Sequence, residues 1–447
     1  MPSVCAPGIV GSGIKVPVSG GRFVPYANLD YAASAPCLAA VQHAVAEALP
    51  SYSSVHRGAG HLSQLTTSRY ERARQTVREF LGARADDSVI FTRNTTDAMN
   101  LLAHALPPGT TVVVFESEHH AALLPWDRHC RTVRLPVPES PAAAVAAVEA
   151  AFAALDGPPG PRLLVVTAAS NVTGEIWPIA DLARAAHAHG ARIAVDLAQF
   201  APHRPVDLTA LDVDYAAFSG HKLYAPFGAG CLAGRPDWLG SARPYLHGGG
   251  ATEMVAPDGV AWAGDPEQRH EAGTPNVLGA IAIAAACEAL GDWERLISEE
   301  ERLLRRLRAG LAALPGVCEL SVWGGDHPRV GIVAFTVDGW DARELAETLS
   351  REYGIGVRDG RFCAHLLVGH LLGRPEAAGC GAPSVPAAVR VSFGVGSTDE
   401  HIDRLLAAIA ALAAYDTARR PMARQAVTAP ATPAAPTPAA ASRAGLR

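Results

Sequence analysis

The stretch SGHKLYAPFGAGCL, residues 219–232, holds one lysine among several glycines and a proline. Glycine and proline at this density require tight backbone turns, so Lys222 is expected to be held in place with Ser219 and His221 beside it. A lysine in an enclosed site loses proton affinity and can form a Schiff base. The alternative is a solvated surface lysine, which is the usual environment of this residue type.

A carboxylate closes another apolar stretch, RIAVD, which ends at Asp196 and is typical of a buried strand. A buried carboxylate needs a charged or hydrogen-bonded partner, because removing the partner from such a pair costs about 3–5 kcal/mol. A protonated ring nitrogen would be a suitable partner. The alternative is an aspartate that caps a turn, and this residue alone does not choose between them.

The stretch TRNTTDAMN, residues 92–100, places Thr95 and Thr96 at the start of a predicted helix. The exposed N–H groups of a helix N-terminus bind phosphate. By itself the motif is simply a good N-cap. A Schiff-base lysine, a buried carboxylate and a phosphate cradle are together what pyridoxal 5'-phosphate (PLP) requires.

The elements that must position these residues alternate along the chain. Short apolar runs typical of buried strands occupy residues 88–92, 111–116, 162–170, 192–198 and 214–220. Helical patterns occupy residues 95–106, 141–155 and 179–190. This order predicts an α/β fold with a mostly parallel sheet covered on both faces. Ligands bind at the carboxyl ends of such strands, where Thr92, Asn171, Asp196 and Ser219 stand.

Composition and pattern divide the chain into segments. We expect a flexible N-terminal segment (1–24), a large domain (25–292), a smaller α+β domain (293–415) and a disordered Ala/Pro-rich tail (416–447), in which too few large apolar residues offset the ordering entropy. Residues 25–36 are expected to join the small domain or to line the crevice. Helices at 293–314, 341–354 and 399–412 and strands at 329–337 and 389–396 are predicted in the small domain, with a mobile loop at 368–388.

The bulk composition excludes several classes of protein. The 447 residues are 49% hydrophobic and 18% charged, with a net charge of −6, which is globular and gives no electrostatic footprint for nucleic acid. No run approaches the roughly 20 apolar residues of a membrane span, and the N-terminus has no signal-peptide pattern, so we expect a cytoplasmic protein without a membrane partner. Eight cysteines without a CxxC pair argue against zinc or a disulfide framework.

Nine ordered motifs carry a resemblance to a known family. They are NLDYAASAP, SVHRGAGHLS, FTRNTTDAMNL, ESEHHAALLPW, SNVTGEIWPI, VDLAQFAPHRPVD, SGHKLYAPFGAGCL, HEAGTPN and VRDGRFCAH. The chain resembles the PLP-dependent class V aminotransferases of fold type I over roughly residues 27–415. It is most similar to the SufS-type cysteine desulfurases and selenocysteine lyases.

The resemblance implies roles for the cofactor-binding residues. Lys222 would form the Schiff base, Asp196 would pair with the pyridine nitrogen and Gln199 would bond the ring hydroxyl. His119 would stack on the ring and act in catalysis. The phosphate ligands would be Thr95, Thr96, Ser219 and His221. Thr274 would reach the phosphate of a neighbouring subunit, which implies a homodimer with shared active sites.

The resemblance also implies a substrate site and a nucleophile. Asn171 and Arg390 would hold the amino-acid substrate, with Arg390 gripping its carboxylate as a bidentate fork. Cys363 would attack the substrate sulfur, with cationic neighbours favouring its thiolate; those expected nearby are His56, Arg57, Arg358 and Arg361. The alternative for Cys363 is a small buried filler. The family usually has two histidines where this chain has Arg361 and Phe362.

These residues predict a cysteine desulfurase that converts L-cysteine to L-alanine through a persulfide on Cys363 and passes sulfur to an acceptor protein. A PLP-dependent aminotransferase, epimerase, C–S lyase or selenocysteine lyase acting on a specialised amino acid is the alternative, favoured by Arg361 and Phe362. A non-catalytic scaffold is a third hypothesis, which the combination of Lys222, Asp196 and His119 opposes.

Overall fold

A computed structural model of the chain describes residues 7–128, 130–155, 160–373 and 387–423, with side chains as far as residue 414. Its strands are β1 (Lys15–Val18), β2 (Arg22–Pro25), β3 (Ala27–Asn28), β4 (Ser88–Thr92), β5 (Thr111–Phe115), β6 (Arg131–Leu135), β7 (Arg162–Thr167), β8 (Arg192–Asp196), β9 (Tyr215–Ser219), β10 (Gly230–Gly234), β11 (Thr252–Ala256), β12 (Gly259–Trp262), β13 (Val317–Glu319), β14 (Ile332–Val337), β15 (Ile355–Gly356), β16 (Arg358–Gly360) and β17 (Ala388–Ser392).

The helices account for much of the rest of the described chain. They are α1 (Ala39–Ala48), α2 (His61–Phe80), α3 (Thr95–Ala105), α4 (His120–Leu123), α5 (Pro141–Ala153), α6 (Ile179–Ala188), α7 (Pro236–Ser241), α8 (Pro266–His270), α9 (Val277–Ala289), α10 (Trp293–Ala312), α11 (Ala342–Tyr353), α12 (His365–Leu372) and α13 (Asp399–Ala423). No helix in the described part of the chain is both long and apolar enough to cross a membrane.

The large domain is built on a seven-stranded sheet in the order β4-β10-β9-β8-β7-β5-β6. Neighbouring strands run parallel except β10, which is antiparallel to both β4 and β9. Successive residues of β7 face different cores: Leu164 and Val166 pack in one hydrophobic cluster, and Leu163 and Val165 pack in another. Both faces are therefore covered, which explains why the strands are apolar throughout. The predicted α/β class with a mostly parallel sheet is confirmed.

The small domain is a four-stranded antiparallel sheet in the order β13-β14-β17-β16. Helices α10, α11 and α13 contribute to its separate hydrophobic core, which contains Leu307, Leu345 and Leu405. Strand β3 pairs in parallel with β15 of this domain, and the chain then continues to Ala32 and Ala33 at the crevice. The helices and strands that the sequence predicted after residue 293 are present, with shifted ends.

The N-terminal segment differs from the expectation of an unstructured chain. Strands β1 and β2 form an antiparallel hairpin, and the N–H of Ser19 donates to the carbonyl oxygen of Arg351 at 2.9 Å. Side chains of Val16 and Val24 pack at Gly354, which ends α11 in the left-handed conformation (φ 64°) and where a β-carbon would lie 2.5 Å from Val24. Alternating valines thus give this Gly-rich segment a surface to bury.

Two other segments depart from their predictions where the structure describes them. The predicted mobile loop at 368–388 begins as helix, because α12 continues through residue 372; residues 374–386 lie outside the described part. Helix α13 extends to Ala423, into the tail that was expected to be disordered from residue 416. Residues 424–447 lie outside the described part of the chain, so the rest of that prediction stays a prediction.

Candidate active site

A cavity of about 250 Å³ lies at the carboxyl edge of the parallel sheet, as the α/β topology predicts. Two groups of residues face each other across it. The sheet end comprises Asp196, which ends β8, Ser219, which ends β9, and Lys222, which lies in the turn after β9. The loop end comprises Asn171, Phe362, Cys363 and Arg390. Other lining residues are Ala32, Ala33, Asn94, Thr95, Thr96, His119, Ala121, Ala198, His221 and Arg358.

The turn that carries Lys222 is fixed by backbone hydrogen bonds and a tight contact. The N–H of Lys222 donates to the carbonyl oxygen of Ser219 at 3.2 Å, and that of Ala225 donates to the carbonyl oxygen of Gly220 at 2.8 Å. A β-carbon at position 220 would lie only 2.8 Å from the carbonyl oxygen of Ala229, so glycine is required there. The turn therefore aims Lys222 into the cavity rather than into solvent.

Burial changes the acid–base properties of Lys222 and Asp196. Burial lowers the pKa of Lys222 to about 8, with Arg390 adding to the decrease and Asp196 opposing it. Burial raises the pKa of Asp196, although Lys222 opposes the rise. A lysine with this pKa is neutral in about a tenth of the molecules at pH 7, far more than an ordinary lysine, and Schiff-base formation and proton abstraction require the neutral amine.

His119 presents a neutral ring to the cavity. It caps α4, and its Nδ1 accepts the N–H of Ala121 at 3.0 Å, so the single ring proton is on Nε2. Burial, followed by the charge of Lys222, lowers the pKa of His119 to about 3. An uncharged aromatic ring beside a lysine and a carboxylate is suited to stacking on a planar heterocycle.

A phosphate cradle is formed where α3 begins. Asn94 caps the helix by accepting the N–H of Asp97, and the N–H of Thr95 donates to Oγ of Ser219 at 2.8 Å. Oγ1 of Thr95 and Oγ of Ser219 are 2.7 Å apart, which joins the helix N-terminus to the lysine turn. Thr96 follows in the first helical turn, where N–H groups have no intrahelical acceptor. This donor set suits an anion.

The sheet end and the cradle together fit PLP. One cavity holds a lysine of lowered pKa, a buried carboxylate, a neutral histidine ring and a helix N-terminus with hydroxyl groups. These are the groups that would bond the aldehyde carbon, balance the ring nitrogen, stack on the ring and hold the phosphate. His221 also lines the cavity, as expected for a phosphate neighbour.

At the loop end, Arg390 is 3% exposed and is anchored on two sides. One of its terminal nitrogens donates to the carbonyl oxygen of Asn171 at 2.9 Å, and the other donates to Oδ1 of Asp30 at 3.1 Å. Its guanidinium carbon lies 5.0 Å from the ring centre of Phe362. Within the described residues, Nε of Arg390 has no hydrogen-bond partner. The guanidinium is thus held rigidly with donor capacity left for a carboxylate.

Cys363 lies in a strained turn. Phe362 and Cys363 both have φ 53°, in the left-handed region that costs a non-glycine residue about 1–3 kcal/mol. Nδ2 of Asn171 donates to the carbonyl oxygen of Phe362 at 2.7 Å, and the N–H of His120 donates to that of Cys363 at 2.8 Å. Cys363 is exposed and lines the cavity, so the alternative of a buried filler is wrong. The turn presents the thiol to the cavity.

Several predicted site residues do not meet Lys222 within one chain. His56, Arg57 and Thr274 line a different cavity of about 390 Å³, so within one chain His56 and Arg57 do not lie beside Cys363 as expected. Thr92 is not among the lining residues of the first cavity. Gln199 is not among them either; its Nε2 donates to the carbonyl oxygen of Ala32, which does line the cavity, at 2.8 Å.

The structure adds residues that the sequence reasoning missed. Asp30 contacts Arg390, and the rings of His120 and His365 meet edge to face, with centres 4.5 Å apart, beside Cys363. Glu118 is fully buried; burial raises its pKa, and its Oε1 accepts the N–H of Thr167 at 3.1 Å. Asp30, Glu118 and His120 lie in the motifs NLDYAASAP and ESEHHAALLPW, which carry the family resemblance, and this position was the only sequence feature that could have indicated a role for them.

Known proteins share this arrangement of sequence and fold. Residues 27–405 match the model of the family described as aminotransferase class-V. A probable cysteine desulfurase of Vibrio cholerae is 37% identical over 366 residues, covering 80% of this chain and 85% of the relative. A cysteine desulfurase of Dickeya dadantii is 37% identical over 401 residues, covering 86% of this chain and 91% of the relative.

A solved structure agrees with these relatives. The crystal structure of the cysteine desulfurase CsdA from Escherichia coli superposes with a TM-score of 0.73 at 33% identity, covering 86% of this chain and 94% of that one. The matched region contains the seven-stranded and the four-stranded sheets and every residue of the sheet end and the loop end. The chain belongs to the aminotransferase class-V family of PLP-dependent enzymes.

Proposed function

We propose that the chain is a PLP-dependent cysteine desulfurase that takes sulfur from L-cysteine as a persulfide on Cys363 and releases L-alanine. One observation carries the proposal: an exposed cysteine in a strained turn lines the same cavity as a lysine of lowered pKa and a buried aspartate. A PLP enzyme that needed only proton transfers would have no use for a thiol at this place.

The sheet end supports the steps that loosen bonds at the substrate's α-carbon. PLP, when bound, supplies an electron sink conjugated to that carbon. Nζ of Lys222 accepts the α-proton, which its pKa of about 8 permits near neutral pH. His119 excludes water from one face of the site, and its neutral ring avoids repulsion with Lys222. Asp196 supplies the negative charge that a protonated ring nitrogen requires.

The loop end supports orientation and sulfur transfer. Arg390 binds the substrate carboxylate, and Asn171 holds both Arg390 and the turn before Cys363. Sγ of Cys363, as thiolate, bonds to the substrate sulfur while the bond from sulfur to the β-carbon breaks. The electron pair of the broken bond stays with the carbon skeleton, which takes up a proton and leaves as alanine. The sulfur remains on Cys363 as a persulfide.

A homodimer with shared sites and a sulfur-acceptor protein belong to the same proposal. The hairpin of β11 and β12 exposes Met254, Val255 and Val260, with 62%, 69% and 44% of their surface accessible. Arg57 and Thr274 line the second cavity, whose lining does not include Lys222, Asp196 or His119. A second copy that covered the hairpin and brought its own cofactor site to this cavity would account for both features. We expect the enzyme to act in the cytoplasm.

The test is an assay with L-cysteine that measures alanine, and the sulfide that an added thiol reductant releases from the persulfide, using the PLP-loaded protein and its Cys363→Ala variant. The expected result is a loss of alanine formation of about a hundredfold or more in the variant, while the cofactor absorbance is unchanged. Lys222→Arg keeps a positive charge but cannot form the Schiff base, so it should lose both the absorbance and the activity.

The alternative reactions would give other patterns in the same assay. Full alanine formation by Cys363→Ala would contradict the proposal. Pyruvate, ammonia and sulfide in place of alanine would indicate a C–S lyase, which needs no protein thiol. Arg361 and Phe362 favour this alternative, since they stand where the family usually has two histidines. Screening selenocysteine and cystine beside cysteine would identify a selenocysteine lyase or a cystine C–S lyase.

A further inference from the structure

Glu118 is a buried acid that has no part in the steps assigned to the sheet end or the loop end. It lies in the turn after β5, where its N–H donates to the carbonyl oxygen of Phe115 at 3.2 Å, and it is 0% exposed. Its Oε1 accepts the N–H of Thr167 at 3.1 Å, and within the described residues its Oε2 has no hydrogen-bond partner. A carboxyl group with so few donors around it is poorly placed to carry a charge.

This residue stands next to two groups that face the cavity. It directly precedes His119, which lines the cavity. The donor Thr167 ends β7 and is the Cα partner of Asp196, which ends the parallel neighbour β8. The Glu118 carboxyl group therefore lies beside the ends of both strands. Burial, and after it the charge of Asp196, raises the pKa of Glu118 well above its usual range.

The surroundings of Glu118 and Asp196 decide which of them is ionised. Two buried carboxyl groups whose charges interact do not both ionise near neutral pH. Asp196 lines the cavity, its Oδ1 accepts the N–H of Ala198 at 2.8 Å, and Lys222 favours its charged form. Glu118 accepts one backbone N–H, and no cation among the described residues acts on it. His119, with its pKa of about 3, is uncharged. The proton of the pair thus resides on Glu118.

We propose that Glu118 is a positioning residue that stays protonated, so that Asp196 alone carries the charge opposite the ring nitrogen of the cofactor. As a neutral acid it still accepts the N–H of Thr167 and so fixes the end of β7 beside Asp196. An ionised Glu118 would add a second negative charge, whereas Lys222 offers at most one positive charge and gives up its free amine when the Schiff base forms. The inference rests on the cofactor of the family and holds for any amino-acid substrate.

The first test locates the proton by infrared spectroscopy of the PLP-loaded protein and its Glu118→Gln variant at pH 7. A protonated carboxyl group has a carbonyl stretch that an ionised carboxylate lacks. The difference between the two spectra should show one such group in the wild type that the variant has lost. Glu175→Gln is the matched control, because Glu175 is equally buried but lies 3.0 Å from Arg329, and it should remove no such band. A difference spectrum of Glu118→Gln without the band would overturn the proposal.

The second test uses the dissociation constant of PLP, measured by absorbance titration. Glu118→Gln is neutral and keeps an acceptor for Thr167, so its affinity should stay within about twofold of the wild type. Glu118→Ala removes the acceptor and should bind PLP about fivefold or more weakly. Asp196→Asn removes the charge and should bind it about thirtyfold or more weakly.

Two results of the titration would contradict the proposal. Unchanged affinity in Glu118→Ala would show that Glu118 positions nothing at the cofactor site. A loss in Glu118→Gln as large as that in Asp196→Asn would show that both carboxyl groups carry the charge. Neither test involves turnover of a substrate, so failure of the desulfurase proposal would be seen separately, in the alanine assay.

Discussion

The two ends of the cavity are assembled in different ways. At the sheet end, Asp196, Ser219 and Lys222 come from the adjacent strands β8 and β9 and the turn that follows. At the loop end, Asn171 of the large domain is hydrogen-bonded to Phe362 and Arg390 of the small domain. The sheet end is positioned by the core of one sheet, whereas the loop end depends on contacts between domains.

This difference concerns energy as well as topology. The sheet end sits on apolar strands whose hydrogen bonds and burial would exist without any function. The loop end includes two consecutive left-handed residues, Phe362 and Cys363, which are held by hydrogen bonds from Asn171 and His120. Changes that weaken the domain contact should therefore affect the loop end before they affect the sheet end.

The largest effect is expected from the buried ion pair that joins the domains. Glu175 and Arg329 are both 0% exposed and lie 3.0 Å apart, and Glu175 also accepts the N–H groups of Val322 and Trp323. Glu175→Ala removes the nearer of the two carboxylates at Arg329, the other being Glu319 at 3.3 Å, and leaves the N–H groups of Val322 and Trp323 without this acceptor. We therefore expect a loss of about 3–5 kcal/mol in the free energy of unfolding. Urea denaturation followed by circular dichroism would measure it.

An exposed pair provides the control for this change. Asp181 and Arg184 on α6 form a salt bridge of 2.9 Å with side chains 54% and 74% exposed. Asp181→Ala should cost less than about 1 kcal/mol, since surface pairs contribute little. If Glu175→Ala were equally mild, the contact between domains would not be what holds the loop end, and the comparison would lose its physical basis.

Sequence reasoning succeeded best at the sheet end. Lys222, Asp196, Thr95 and Ser219 stand at strand and helix ends, so periodicity alone brings them to one edge, and the structure places them there. The order of strands, with antiparallel β10 between β4 and β9, was not predicted, because pairing across a sheet depends on partners far away in sequence.

The loop end was predictable only through resemblance. Nothing in the local pattern of VRDGRFCAH indicates that Phe362 and Cys363 adopt left-handed conformations, since glycine is the residue expected there. Asp30 was quoted in a motif without a role, because its two arginines lie more than 300 residues away along the chain. His56, Arg57 and Thr274 line a second cavity away from Lys222, so the roles that the resemblance implied for them stay predictions.

The pKa of Lys222 offers a test that concerns the sheet end alone. A pKa of about 8 means that the neutral amine is half populated near pH 8, whereas an ordinary lysine reaches this point near about 10.4. PLP uptake by cofactor-free protein should thus accelerate about tenfold per pH unit below 8 and level off above it. Stopped-flow absorbance would follow this reaction.

Two outcomes bear on that prediction. Uptake that keeps accelerating to pH 10 would show that Lys222 is solvated and that the sheet end is not an enclosed site. Glu175→Ala should leave this pH profile unchanged while it lowers stability, because the buried pair bonds to residues 321–324 and to Thr173, none of which lines the cavity.

The smallest effect is expected from Phe362, whose ring covers the guanidinium of Arg390 at 5.0 Å. Phe362→His replaces the phenyl ring with the residue type usual in the family and weakens a contact worth about 0.5–1 kcal/mol. Affinity for L-alanine, measured by calorimetry on the PLP-loaded protein, should fall about two- to fivefold. Phe23→His on the N-terminal hairpin, 65% exposed, is the control and should change nothing. Tighter binding by Phe362→His would mean that the phenyl ring obstructs the carboxylate rather than supporting Arg390, and the loop end would then be shaped for a different ligand.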